Sequence, residues 1–335
     1  MRYLFALILS LWPFVSGAQD WEDRQLFQAG NTAQTLRILS STDTSFFAPI
    51  IEQFLSDTPA WSVEYLVTTT SDIDRKFREN PDQFDIIISS AMDLQLKLVN
   101  DGFALELSGI DHPEWAQWRQ RLFAFTTEPA AIVINSRAFK DKTIPQTRQE
   151  LIHALRQQPD LFRGKLGTYD VRQSGVGYLF ATQDARVSET YWRLMEVMGS
   201  LNARLYCCSG EMIDDVASGK LLVAYNVLGS YAAARRQKDP RFEIILPSDF
   251  PTTMMRTGFV SKATQHVDAS ERFIQKMIDI QSTDGSTGSS RLPPLDKSLQ
   301  GTNPSVISLE PALMTYLDGL KRRTFIKEWM SAVVQ

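Results

Sequence analysis

Residues 84–90 read Phe84-Asp85-Ile86-Ile87-Ile88-Ser89-Ser90. A near-continuous apolar run closed by two small hydroxyl residues predicts a central parallel strand buried on both faces. The flanking residues repeat the theme. Thr35-Leu36-Arg37-Ile38-Leu39-Ser40 alternates apolar and polar as a strand does, ends in Ser41-Thr42-Asp43, and precedes Phe46, Phe47, Ile50, Ile51 and Phe54 at helical spacing. Ser62-Val63-Glu64-Tyr65-Leu66-Val67 predicts another strand, leading through Thr68-Thr69-Thr70-Ser71 into a helix, and residues 92–99 predict the helix after the isoleucine strand. A β-α-β-α-β-α order implies an α/β fold with an open parallel sheet and right-handed crossovers.

The pattern changes at residues 122–135, a run too long for one strand and interrupted by Pro129, as expected of chain crossing between domains in extended form. A second series follows. Helices are predicted near 148–158, 189–201 and 211–218, strands at 165–169 and 221–225, and a further helix opened by Ser174-Gly175-Val176-Gly177. A second extended run at 242–260 predicts the return crossing. The expected organisation is therefore two α/β lobes, one of residues 19–127 with 257–335 and one of 128–256, joined by two extended crossings. A chain of 335 residues is long enough for two separate cores.

Charge and composition exclude several function classes. With 35 Lys and Arg against 39 Asp and Glu and no dense basic run, the chain lacks the clustered cations that displace counterions from phosphates. Two Cys and three widely spaced His (His112, His153 and His266) build neither a zinc array nor a catalytic metal motif, and no Gly-x-Ser-x-Gly elbow is present. No enzyme activity, metal or cofactor is expected. At the N-terminus, Arg2 precedes an apolar run from Tyr3 to Val15 and the small residues Ser16-Gly17-Ala18. This predicts a signal peptide at 1–18 cleaved after Ala18, and a soluble exported protein. In an oxidising compartment the adjacent Cys207-Cys208 either form a vicinal disulfide or remain thiols.

Ligands of open parallel sheets bind outside the carboxyl ends of the strands. There the first lobe offers Ser41, Thr42, Ser89 and Ser90, whose hydroxyls and nearby helix starts suit an anionic or polyhydroxylated ligand. The second lobe offers Arg172-Gln173-Ser174-Gly175-Val176-Gly177. Gly175 and Gly177 permit close backbone approach, Ser174 opens a helix, and Arg172 supplies positive charge. Tyr225, Asn226 and Tyr231 stand at the end of another strand, and Thr127 and Glu128 lie near the first crossing.

These residues, together with Phe162-Arg163-Gly164-Lys165-Leu166-Gly167 and the run from Gly219 to Tyr231, resemble the type II periplasmic solute-binding proteins of ABC importers, the class with ferric-ion-binding and phosphorylated-sugar-binding members. The resemblance spans residues 35–281, and the 219–231 run looks like the phosphoglycerate transport regulatory type, which works with a membrane sensor kinase. It implies a two-lobed receptor in the periplasm that presents its solute to an inner-membrane permease or a sensor kinase; a monomer is expected. Ferric-binding members carry two adjacent Tyr where this chain has Ser230-Tyr231. An anionic organic solute is therefore the expected ligand, with ferric-ion uptake and a kinase-binding signalling subunit as the alternatives.

Overall fold

The computed structural model describes residues 21–28, 30, 34–140, 142–282, 290–299 and 305–334. The expected leader at 1–18 and residues 283–289 lie outside them. In chain order come β1 (Asp23–Gln28), β2 (Gln34–Ser40), α1 (Thr44–Asp57), β3 (Trp61–Val67), α2 (Thr70–Glu79), β4 (Ile86–Ser89), α3 (Met92–Asn100), β5 (Gln117–Trp118) and β6 (Leu122–Ala124). The chain then forms β7 (Glu128–Asn135), α4 (Arg148–Gln157), α5 (Pro159–Phe162), β8 (Leu166–Tyr169), α6 (Gly175–Val187), α7 (Thr190–Ser200) and β9 (Arg204–Tyr206). After α8 (Ser209–Ser218), β10 (Val223–Leu228), α9 (Gly229–Arg236), β11 (Phe242–Ile245) and β12 (Thr253–Met254), it ends with β13 (Thr257–Val260), α10 (Val267–Ser282) and α11 (Gly319–Val333).

Among the described residues the strands form two sheets. The first runs β1-β3-β2-β4-β13-β6-β5, with β3, β2 and β4 parallel and β1 and β13 antiparallel to their neighbours. Ile86, Ile87 and Ile88 of β4 are completely buried. Ile87 packs with Phe77 of α2 and Leu96 of α3, while Ile86 and Ile88 pack with Phe47 of α1 and Phe273 of α10. Helices thus cover both faces, which is why this strand reads as an unbroken apolar run. The second sheet runs β11-β7-β10-β8-β9, with β12 also paired to β7; β10, β8 and β9 are parallel and β7 is antiparallel to β10. Each parallel core is thus extended by antiparallel strands, among them β7 and β13, by which the chain enters each sheet from the other.

The chain leaves the first sheet after β6, passes through Phe125, Thr126 and Thr127, and enters the second as β7; it returns between β12 and β13 through Met255 and Arg256. The two crossings are bonded to each other, since Phe125 N–H donates to the Arg256 carbonyl at 3.0 Å.

The expected assignment of residues 257–335 to the first lobe is corrected at its end. α10 packs on the first lobe, but Phe325, Trp329 and Val333 of α11, spaced as one helical face, are buried with Tyr178, Leu194 and Met198 of the second. Ile307 N–H donates to the Thr253 carbonyl at 2.9 Å, so the segment joins the second lobe before the helix begins. Cys207 and Cys208 form a vicinal disulfide at the start of α8.

Candidate functional site

Parallel pairing of β2 and β4 places their carboxyl ends side by side. Ser41 Oγ donates to Ser89 Oγ at 3.4 Å and accepts from Ser90 N–H at 3.3 Å, while Ala91 N–H donates to Ser89 Oγ at 3.1 Å. Thr42 is completely buried; its N–H donates to Ser40 Oγ at 3.0 Å and its carbonyl accepts the Tyr65 hydroxyl at 2.9 Å. The four hydroxyl residues expected from the first lobe therefore sit together.

At the hinge the deciding residue is one the sequence did not single out. Arg256 and Glu128 form an ion pair with both side chains at 0% exposure. Arg256 Nε donates to Glu128 Oε1 at 3.0 Å, Nη2 to Oε2 at 3.2 Å, and Nη1 to Thr42 Oγ1 at 2.6 Å. Burial works against the guanidinium charge, but the Glu128 carboxylate, aided by Tyr231 and Tyr65, outweighs it and together they hold the pKa above its ordinary value. Glu128 also accepts from Thr126 Oγ1 at 3.0 Å and from the Ser230 hydroxyl. Its carboxylate is thus committed to the hinge instead of facing the cleft. Thr127 is committed as well, its hydroxyl donating to the Pro294 carbonyl at 3.1 Å and accepting from Asp296 N–H at 3.1 Å.

In the second lobe, Ser174 caps α6 by accepting from Gly177 N–H at 3.1 Å. A Cβ on Gly177 would stand 2.3 Å from Tyr169 Cβ, so α6 lies against β8 at a distance only glycine allows. Arg172 departs from expectation. Its Nε and Nη2 clasp the Asp170 carboxylate at 2.8 and 2.6 Å. Burial pushes the Asp170 carboxyl up, the bonds from Arg172 outweigh it, and the carboxyl is held below its usual range. The positive charge assigned to a ligand is therefore neutralised beside its own backbone.

Tyr225 and Asn226 also depart from expectation, because they point into the second lobe. The Tyr225 hydroxyl donates to Asp184 Oδ2 at 2.7 Å and accepts from Arg148 Nε at 2.7 Å. Asn226, at a φ of 63°, donates from Nδ2 to the same Asp184 oxygen at 2.8 Å. Arg148 Nη2 pairs with Asp184 Oδ1 at 3.1 Å, and both side chains are 2% exposed. A buried charge pair needs such hydrogen bonds around it, and these residues supply them.

The lobes meet directly along the seam. Thr70 Oγ1 of α2 accepts from Gly175 N–H at 2.8 Å and Val176 N–H at 3.2 Å, and the Ser71 hydroxyl donates to the Gln173 carbonyl. The Tyr231 hydroxyl donates to Asp43 Oδ1 at 3.0 Å and accepts from Asp43 N–H at 3.2 Å, while its ring stacks on Phe46 with centroids 4.5 Å apart.

Beside that stack opens a cavity of about 640 Å³ walled by both lobes. Ser45 and Phe46 in the first turn of α1, Gly210 in that of α8, and Ser230 and Tyr231 in that of α9 line it. Arg235, Lys238 and Arg291 add positive charge to its wall against the single carboxylate of Asp214, which pairs with Arg235 at 3.0 Å. A second electrostatic feature has the opposite sign. The Glu22 carboxyl is pushed up by burial and then by the charges of Asp43, Asp72 and Glu211. Among the described residues no group of three or more His, Cys, Asp or Glu is arranged to hold a metal ion.

No protein-family model and no curated protein matches the chain. Solved structures do. The substrate binding protein of an ABC transporter from Agrobacterium tumefaciens is 31% identical, with a TM-score of 0.86 over 93% of this chain and 98% of that one. The periplasmic binding protein AfuA from Actinobacillus pleuropneumoniae, with fructose-6-phosphate bound, is 13% identical at a TM-score of 0.72, covering 90% of this chain and 99% of that one. Iron-bound HitA from Pseudomonas aeruginosa is 13% identical at 0.65, covering 89% and 99%. The last two share the fold.

Proposed function

The chain belongs to the substrate-binding proteins of ABC transporters, and from that premise we propose that it is a periplasmic receptor for a small anionic solute, with no catalytic step of its own. The observation that carries the anionic reading is the interlobe cavity, where the N-terminal turns of α1, α8 and α9 meet Arg235, Lys238 and Arg291. Helix N-termini carry partial positive charge and unsatisfied N–H groups, and with the three cations they favour a phosphate or carboxylate. The stacked Phe46 and Tyr231 rings give an apolar plate for the organic part of the solute. Closure about residues 125–127 and 255–256 buries the solute between the lobes, and an inner-membrane permease takes it from the closed form. A leader at 1–18, cleaved after Ala18, delivers the protein to the periplasm.

A second reading is favoured by the carboxylates of Asp43, Asp72 and Glu211 that act on Glu22, Asp43 being bonded to the Tyr231 phenol, and their shared charge suits an organic cation. A thermal-shift panel separates the two. Phosphorylated sugars, phosphoglycerates and carboxylates are expected to raise the melting temperature, because a ligand bound only by the folded state stabilises it. A rise with ferric salts or polyamines alone contradicts the anionic reading.

A further inference from the structure

The two faces of α11 differ in what covers them. Phe325, Trp329 and Val333 are buried in the second lobe. The outward face carries Leu320, Arg323, Lys327, Met330 and, at the C-cap, Val334. These positions alternate in steps of three and four residues, the spacing of the seam by which one helix receives another. Leu320 is 67% exposed, Met330 38% and Val334 48%, so three of the eight large apolar side chains that the described residues leave exposed lie along this one line. Beside it is a hollow of about 500 Å³ lined by Arg323, Ile326, Lys327, Met330, Ser331 and Val334. Those six residues make two overlapping diamonds, 323-326-327-330 and 327-330-331-334. A diamond of residues i, i+3, i+4 and i+7 is the hole that takes one side chain of a facing helix. The first hole brings Arg323 and Lys327 together, and the second is walled by Met330 and Val334. Among the described residues neither cation is held in an ion pair.

We propose that the outer face of α11 docks an acidic amphipathic helix of a partner protein, with a carboxylate seated between Arg323 and Lys327 and an apolar side chain between Met330 and Val334. A second copy of this chain does not fit. Two such seams would set Lys327 against Lys327 if antiparallel and Arg323 against Arg323 if parallel, and like charges across an interface repel. A bilayer surface fits less well than a helix, because a helix lying on lipid keeps its cations on the face opposite its apolar one, whereas here they stand within the apolar line. The proposal is independent of which solute the protein binds. Fluorescence anisotropy of the purified protein tests it, with a labelled three-heptad helical peptide bearing Leu at its seam positions and Glu at the central ones, and a control peptide with Lys in place of Glu. Wild type is expected to bind the Glu peptide and reject the Lys peptide. Arg323→Glu/Lys327→Glu is expected to weaken the Glu peptide about tenfold or more and to strengthen the Lys peptide as much, and Met330→Ser/Val334→Ser to weaken the Glu peptide about tenfold. All four side chains are exposed, so both variants are expected to keep the wild-type melting temperature. Equal binding of the two peptides, binding of neither, or a preference that does not follow the charge reversal overturns the proposal. Wild-type self-association that Met330→Ser/Val334→Ser abolishes, or displacement of the Glu peptide by phosphatidylglycerol vesicles, overturns it too, giving the face to a second copy or to lipid.

Discussion

Gly177 shows how one residue ties local sequence to the site. Its missing side chain lets the Ser174 cap and the whole start of α6 sit against Tyr169, and an added methyl would collide with the Tyr169 Cβ and Cγ at 2.3 and 2.7 Å. Gly177→Ala is expected to cost about 1–3 kcal/mol of stability through overpacking, read as a lower urea midpoint. Unchanged stability would mean that Tyr169 has room to move. At the hinge, Glu128→Gln leaves Arg256 buried with its charge uncompensated, so a loss of about 3–5 kcal/mol is expected in the same measurement. A loss under about 1 kcal/mol would show that water reaches the pair and screens it. The sequence made the small hydroxyls at strand ends visible because strand register alone puts them there. It could not reveal Arg256, since an arginine within an extended run looks like any solvated arginine until the crossings meet. Nor could it show that Tyr225 and Asn226 bond to Arg148 and Asp184, which lie far away along the chain.

At the scale of elements, what was legible follows burial. β4 is apolar because both its faces are covered, and the crossings are extended because chain must pass from sheet to sheet. β1 was not legible, since five of its six residues are exposed and only Phe27 is buried, so no alternation appears. For α11 the spacing of Phe325, Trp329 and Val333 announces a helix but not which lobe will receive it. α3 carries a pH dependence of its own. Asp93 in its first turn is 2% exposed, its Oδ1 accepts from Leu94 N–H at 2.9 Å, and burial pushes its carboxyl up to about 7 while Arg322 pulls weakly the other way. The unfolded chain releases this proton near pH 4 and the folded protein only near pH 7, so the folded state binds more protons in between. Stability from this group is therefore complete at low pH and declines as pH rises from about 4 to about 7. Asp93→Asn removes the titration. The melting temperature of the wild type relative to this variant is expected to fall across that window, and a constant difference would contradict the assignment.

Over the whole molecule, charge is arranged in opposed regions. A net charge of −4 conceals an interlobe cavity with three cations and, outside its lining, the carboxylates of Asp43, Asp72 and Glu211 that act on Glu22. Tyr231, which lines the cavity, bonds to Asp43 and stacks on Phe46, and so bridges the lobes. Neither region was legible in the sequence, because each collects residues from distant segments, Phe46, Lys238 and Arg291 in one and Glu22 and Glu211 in the other. If the cavity receives the anionic solute, its cations must carry the affinity. Calorimetric titration tests it most directly, with the tightest ligand from an anionic panel against wild type, Arg172→Ala and the double variant Lys238→Ala/Arg291→Ala. One site per chain is expected, weakened at least tenfold (about 1.4 kcal/mol) by the double variant and unchanged by Arg172→Ala. Undiminished binding by the double variant, or a tenfold loss in Arg172→Ala, would contradict it.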